Sequence, residues 1–318
     1  MEIEKLIGHT PMIKINYEYQ HQIKSIYVKL EYYNLTGSIK DRMAIYIIKQ
    51  AKEKGLLKEN MPIIEATSGN TGISLAAMGA YLKHPVYIFM PDWVSNERKA
   101  IMEMYGAQVI LISKEQGGFQ ECIKQADLLA KKINGFRPNQ FINNDNVIAH
   151  QISTAKEIKS KLPKVDAFIS GIGTGGTLIG IAKYLKPQGT KIYALEPDKL
   201  PLLTKGLNIG SHLIEGIGDD FIPDIVDQNL IDDVISINDL DAINMSRKLA
   251  SELGLGVGIS SGANFLGAVI INSQNTNNTV TIFVDDNKKY ISTLLKDRVA
   301  TDPNFISSKI KLINFEVL

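Results

Sequence analysis

A single cysteine, Cys122, stands in 318 residues. That excludes an intramolecular disulfide framework and any multi-cysteine zinc site. An excess of charge of one sign is lacking too. Thirty-five Lys+Arg face thirty-four Asp+Glu, a formal net charge of +1, which argues against a nucleic-acid partner. Long apolar runs are also missing. The longest stretch without charge, Leu253 to Val284, is broken by glycines and by the polar run Asn272–Thr279. No continuous part of it is long enough to span a bilayer, so no membrane partner is expected. Glu2, Glu4 and Lys5 precede any apolar run, so a signal peptide is not expected and the cytoplasm is the expected compartment. Five histidines show no metal-ligand spacing, and no metal is expected.

What is present is apolar side chain enough for a substantial core. Hydrophobic residues make up 44% and charged residues 22%, with mean hydropathy at −0.02. The length suits two lobes or one large α/β unit. Pro62–Thr67, Val86–Met90, Gln108–Ile112, Val165–Ser170, Lys191–Leu195 and Val280–Val284 read as short buried strands. Between them, Met43, Ile47, Ile48 and Ala51 make a helical stripe that Gly55 ends, and Ser95–Tyr105 and Phe119–Ile133 make two more. This alternation predicts α/β class, a mostly parallel sheet with helices on both faces. Ligands then belong in the loops at the carboxyl ends of strands. A lobe boundary near residues 140–150 is expected. The irregular stretch Asp198–Asp224, with four glycines and two prolines, is long enough to suggest a functional loop.

Four segments carry chemistry. In Thr36-Gly37-Ser38-Ile39-Lys40-Asp41-Arg42, Lys40 falls in the first turn of a helix, where the dipole eases deprotonation. A neutral amine is what Schiff-base chemistry requires, although an ordinary solvated lysine fits as well. Thr67-Ser68-Gly69-Asn70-Thr71-Gly72 offers backbone N–H groups and hydroxyls as a carboxylate seat, or no more than a capped turn. Gly171-Ile172-Gly173-Thr174-Gly175-Gly176-Thr177 follows a strand and opens a helix, which suits a phosphate. The same glycines also satisfy G-x-G-x-x-G, and Glu196 lies where a ribose-binding acid would, so an NAD-binding Rossmann reading stands as a rival. The fourth segment, Gly258-Ile259-Ser260-Ser261-Gly262-Ala263, is unspecific alone.

Together, in order and separation, the four segments resemble the motifs of the cysteine synthase and cystathionine β-synthase family of pyridoxal-phosphate enzymes, fold type II. The resemblance runs from Gly8-His9-Thr10-Pro11 to Tyr290-Ile291-Ser292-Thr293. It implies two lobes, with 1–39 and 146–318 forming a larger cofactor-binding lobe and 40–145 a smaller mobile one, and it implies a homodimer. By the same resemblance Lys40 holds pyridoxal 5'-phosphate, Asn70 bonds its phenolic oxygen, and Gly173, Thr174, Gly175, Gly176 and Thr177 cradle its phosphate. Thr67, Ser68, Gly69, Thr71 and Gln140 bind the substrate carboxylate, and Ser260 faces the pyridine nitrogen. A serine there leaves the ring a weaker electron sink than an aspartate would, which favours expelling a β-substituent. The implied activity is β-replacement through an aminoacrylate intermediate, with O-acetylserine or a similar donor and sulfide giving cysteine.

The chain mixes subfamilies. Tyr32-Tyr33-Asn34 and Glu215-Gly216-Ile217-Gly218-Asp219-Asp220-Phe221 look like cystathionine β-synthase. Met90-Pro91-Asp92 with Asn96-Glu97-Arg98 looks closer to a second bacterial sulfhydrylase type. Small sulfhydrylases usually carry Ala-Gly where this chain has Asp219 and Asp220. Those acids could act as a general base for water or a thiol, which is the alternative of a cysteine-consuming reaction that releases hydrogen sulfide. Both could equally face solvent. Cys122 is expected to be a buried small hydrophobe.

Overall fold

A computed structural model describes residues 1–208, 210–274, 276–297 and 300–318. Ile209 and Asn275, which fall in the irregular stretch and the polar run, lie outside the described residues. Strands β1 (Met12–Tyr19) and β2 (Gln22–Leu30) pair as a hairpin through Gln20 and His21. Both turn residues have positive φ, 51° and 59°, the left-handed pair that matches the twist of a two-residue hairpin.

Then follow α1 (Lys40–Glu53), β3 (Ile63–Ala66), α2 (Asn70–Leu82), β4 (Val86–Pro91), α3 (Asn96–Met104), β5 (Gln108–Ile112) and α4 (Gly118–Ile133). Helix α1 buries Met43, Ala44, Ile47, Ile48 and Ala51, and Gly55 at φ +69° follows its end. The three strands form a parallel sheet in the order β3-β4-β5.

The rest of the chain is α5 (Asp145–Ile152), α6 (Thr154–Lys161), β6 (Ala167–Gly171), α7 (Gly176–Leu185), β7 (Lys191–Pro197), α8 (Leu202–Lys205), β8 (Asp233–Ile237), α9 (Asp239–Leu253), α10 (Ile259–Ser273), β9 (Thr279–Phe283), α11 (Ile306–Lys309) and β10 (Lys311–Val317). With the opening hairpin these strands make a seven-stranded sheet, order β10-β1-β2-β9-β6-β7-β8. It is antiparallel across β10, β1 and β2 and parallel from β2 onward. The α/β class is as the sequence predicts, and the antiparallel edge is an addition. Strand β9 is buried throughout, because helices cover both faces of the parallel part. Strand β10 is mostly exposed, as an edge allows. No described helix is long and apolar enough to cross a membrane. The parallel strands β3, β6 and β9 send their carboxyl ends toward one region, and the site assembles there.

Candidate active site

Lys40, Thr67, Ser68, Gly69, Asn70, Thr71, Gln140, Gly173, Thr174, Asp219 and Ser260 line one cleft of about 520 Å³, together with Arg98, Phe141, Gly216 and Val284. Gly175 and Thr177 line an adjoining recess of about 320 Å³ that shares Lys40, Gly173 and Thr174 with it. Gly176 sits behind, where a Cβ would come 2.0 Å from Asn146 Oδ1. Asp220 does not join them; it is exposed and lines only the outer mouth.

Lys40 is the first residue of α1. Its pKa is lowered, as the sequence suggests, but burial is the largest cause, and the charges of Asp285 and Asp219 oppose it. The Thr67–Thr71 loop is held from beneath. Gly69 N donates to Thr67 Oγ1 at 3.0 Å. A Cβ on Gly69 would stand 2.2 Å from Arg98 Cδ, so only glycine lets Arg98 lie against this loop. Thr71 Oγ1 donates to Gln140 Oε1 at 2.6 Å, and Gln140 Nε2 donates to Ala66 O at 2.8 Å. One amide N–H of Gln140 remains for a ligand. The backbone of Gln140 donates to Glu65 Oε2 at 3.2 Å, and buried Glu65 pairs with Arg137 at 2.6 Å.

The glycine loop needs its glycines. A Cβ at Gly173 would meet Gly216 O at 2.4 Å, and Gly175 has φ +86°. Asn146 Nδ2 donates to both Gln140 O (2.9 Å) and Thr174 Oγ1 (3.0 Å), joining this loop to Gln140. His150, its pKa pushed down to about 3 chiefly by burial and then by Lys40 and Arg42, lies 3.3 Å from Thr177 Oγ1. The rival role for Glu196 fails here. Its carboxylate is buried and accepts from Leu203 N at 2.8 Å and from Thr204 Oγ1 at 2.5 Å, so it braces α8 and has no face left for a ribose.

Across the cleft, Asp285 Oδ2 accepts from Asn70 Nδ2 and from Tyr290 Oη, both at 2.8 Å. Arg98 stacks over the Tyr290 ring, 4.5 Å from its centroid, and pairs with Glu215. Asp219 has its pKa raised to about 6, by burial first and by Asp220 second, with Lys40 opposing.

A buried lysine beside a hydroxyl-lined loop and a glycine-lined recess points to one cofactor chemistry, and the known relatives agree. The profile of the pyridoxal-phosphate dependent enzymes matches residues 3–285. The chain belongs to that family. A cysteine synthase of Staphylococcus aureus is 36% identical over 299 residues, which are 92% of this chain and 96% of the relative. Among solved structures, a hydrogen sulfide-producing enzyme from Fusobacterium nucleatum superimposes with TM-score 0.96 at 46% identity, covering 100% of this chain and 98% of the other. A cysteine synthase from Entamoeba histolytica follows at TM-score 0.87 and 37% identity, covering 96% and 94%.

The residues of this pyridoxal-phosphate enzyme fit the group. Asn70 Oδ1 and Asp285 Oδ1 are buried without a protein partner among the described residues, a cost that a ligand at this wall would remove. The recess at the start of α7 presents backbone N–H groups where an added Cβ would collide, as a phosphate cradle requires. No sequence motif marks Glu65, Asn146 or His150, and Arg98 falls in the Asn96-Glu97-Arg98 run without a role at the site. One signal was legible. Asn146 and His150 stand four residues apart on α5, with Thr154 four further on at the start of α6, and all three are buried; polar groups so placed must find partners.

Proposed function

We propose that the enzyme replaces the β-substituent of a serine- or cysteine-type amino acid, with O-acetylserine or a similar donor and sulfide giving cysteine and acetate. The observation that carries this reading is the single cleft in which Lys40, the carboxylate seat and the glycine-lined recess share walls. Pyridoxal phosphate, when bound, supplies the electron sink that acidifies the α-proton and lets the β-substituent leave. Lys40 would hold it, and the amine, its pKa lowered by burial, can carry the α-proton. Gly173 to Thr177 would hold the phosphate, Asn70 the phenolic oxygen, and Ser260 would stand at the pyridine nitrogen. Thr67, Ser68, Gly69, Thr71 and Gln140 would bind the α-carboxylate through charge-assisted hydrogen bonds. By the family resemblance the enzyme would be a cytoplasmic homodimer, which sedimentation at twice 35.2 kDa checks. Residues 40–145 would form its mobile lobe.

Asp219 favours a second reading, in which cysteine is the donor and hydrogen sulfide the product. Its carboxylate lines the cleft. An anion there disfavours incoming hydrosulfide and can take the proton of an incoming water while the water oxygen bonds the β-carbon. Cysteine and water then give serine and hydrogen sulfide. The Fusobacterium relative is described as hydrogen sulfide-producing, which supports this direction. Asp219 must be ionised to act, so turnover of cysteine should rise with pH through about 6. Supplying O-acetylserine with sulfide, and cysteine alone, and identifying products separates the readings. Cysteine and acetate support the first. Serine and hydrogen sulfide, with a pH limb that Asp219→Asn removes, support the second. No product from either supply would rule out β-replacement.

A further inference from the structure

We infer that His212 is a positioning residue for Asp219, a neutral staple across the loop that presents the carboxylate. The inference rests on the second reading above. The stretch from Gly206 to Asp232 holds no strand or α-helix among its described residues, so side-chain bonds share with scattered backbone ones the task of fixing its geometry. His212 supplies two of them. Its Nε2 lies 2.8 Å from Gly218 O, and its Nδ1 lies 3.2 Å from Ile214 N. A carbonyl oxygen only accepts and a backbone N–H only donates, so Nε2 carries the proton and Nδ1 is bare. The two neighbours therefore select one neutral tautomer. A second proton would set an N–H against an N–H.

Gly218 is the residue before Asp219, and it is held from both sides. Its N–H donates to Ile172 O at 2.9 Å, in the loop of the glycine-lined recess. Its carbonyl oxygen takes the His212 proton. Gly218 has φ +73°, and a Cβ there would meet Pro197 Cγ at 2.7 Å and His212 Nε2 at 2.8 Å. The ring is thus seated directly on the backbone. Without the Nε2 proton, Gly218 keeps only the bond on its N–H side, the Gly218–Asp219 peptide plane loses the bond on its carbonyl, and the carboxylate beyond it can turn out of the cleft. The groups facing His212 are Asp198, Lys199 and Asp239. Burial is the largest influence and lowers the imidazole pKa; Lys199 adds to it, while the bond to Gly218 O and the two acids oppose it. His212 lines only the outer mouth, so it has no part in holding the cofactor.

Two substitutions separate the two bonds. His212→Gln brings an amide nitrogen near the Nε2 position and keeps the donor to Gly218 O. His212→Asn reaches only the Nδ1 position, keeping an acceptor for Ile214 N–H and losing the donor. Misplacing a base by about 1 Å costs roughly tenfold or more. In the holoenzyme, His212→Asn should lower steady-state turnover of cysteine about tenfold. The KM for cysteine should stay within about twofold, with the resting absorbance and the first-turnover release of sulfide unchanged. His212→Gln should restore most of the rate. In an Asp219→Asn background, His212→Asn should add nothing further. Parent-like turnover by both His212 variants, loss of cofactor from both, or additive effects with Asp219→Asn would each overturn the inference. If Asp219→Asn alone turns over cysteine like the parent, the base reading falls and the inference falls with it. If Asp219→Asn is slow while His212→Asn is not, only the inference falls.

Discussion

Asp219 and Asp220 are chemically identical neighbours, and only one of them faces the inner cleft. Asp219 lines the cleft with its pKa raised to about 6, whereas Asp220 is exposed, with Gln120 Nε2 at 3.4 Å. No periodicity marks which residue of an irregular loop points inward, so a sequence can name both and choose neither. Lys40, by contrast, is fixed by its place at a helix start. Cys122 is buried, its thiol pushed up to about 12 by that burial, so it packs as the small hydrophobe the sequence suggests. Gln140 makes the residue-scale test. Its side chain is tied to Thr71 and Ala66, and its remaining N–H is free for a carboxylate. Gln140→Ala should raise the KM for the amino acid about tenfold, the worth of one charge-assisted hydrogen bond of about 1.4 kcal/mol. The resting absorbance should not change. A variant isolated without cofactor would give Gln140 a structural role instead.

Helix α1 carries Lys40 at its start, and a buried ion cluster two residues on anchors it. Arg42 bonds Glu31 through Nε at 2.6 Å and Nη2 at 2.9 Å, and Glu157 through Nη1 at 2.7 Å and Nη2 at 2.8 Å. Lys29 pairs with Glu157 at 2.8 Å. The cluster ties α1 to the end of β2 and to α6. Burial raises both carboxyl pKa values, yet the cations around them win and hold both at about 2, against an ordinary 4.5. A carboxyl with a depressed pKa stabilises the fold fully above its unfolded value, and that share is lost as pH falls through the folded one. The melting temperature should therefore fall between pH 4.5 and about 2, and less steeply in Glu157→Gln. That variant should also lose about 3 kcal/mol at neutral pH, because two buried cations lose an anion. A melting temperature with the same acid slope in both proteins would sink the argument. At this scale the sequence is uneven evidence. Strands β3, β4, β6, β7 and β9 show as apolar bursts, because burial on both faces leaves little polar residue in them, whereas the edge strand β5 is as apolar with only Ile112 buried. Strand β1 alternates Ile13, Lys14, Ile15, Asn16, Tyr17, but its partner β10 arrives almost 300 residues later, and nothing local announces a pairing of that range. The motif loops are legible because their chemistry is contiguous in sequence. Asn146, His150 and Glu65 support them from elements that no motif marks.

At the scale of the whole molecule, the cleft lies between the three-stranded and seven-stranded sheets, and few contacts cross its mouth. Glu97 Oε2 accepts from Ser292 Oγ at 2.6 Å on the rim. Phe221 meets Phe119 and Phe141 with ring centroids 6.5 and 5.1 Å apart. Arg98, on α3, pairs with Glu215 and stacks on Tyr290, both from the seven-stranded side. Exposed pairs contribute about 0–1 kcal/mol. Arg98 is different, because its side chain is 3% exposed and its charge has no water to fall back on. Glu215 therefore has two possible functions, and they predict opposite signs. If the pair latches the two sides, Glu215→Gln lets the cleft open, and the amino acid pays to close it, so its apparent affinity falls by the lost closed fraction. If Glu215 instead restrains Arg98 from the substrate carboxylate, the same change frees a cation in the cleft and affinity rises. The buried Tyr290 stack keeps Arg98 in place without Glu215, which favours the latch. We expect weakening by about tenfold, or about 1.4 kcal/mol, with Ser292→Ala on the rim changing affinity less than about twofold. Titrating each holoenzyme with amino acid by absorbance decides between them: tighter binding by Glu215→Gln would reverse the assignment, and unchanged binding would reduce the pair to packing.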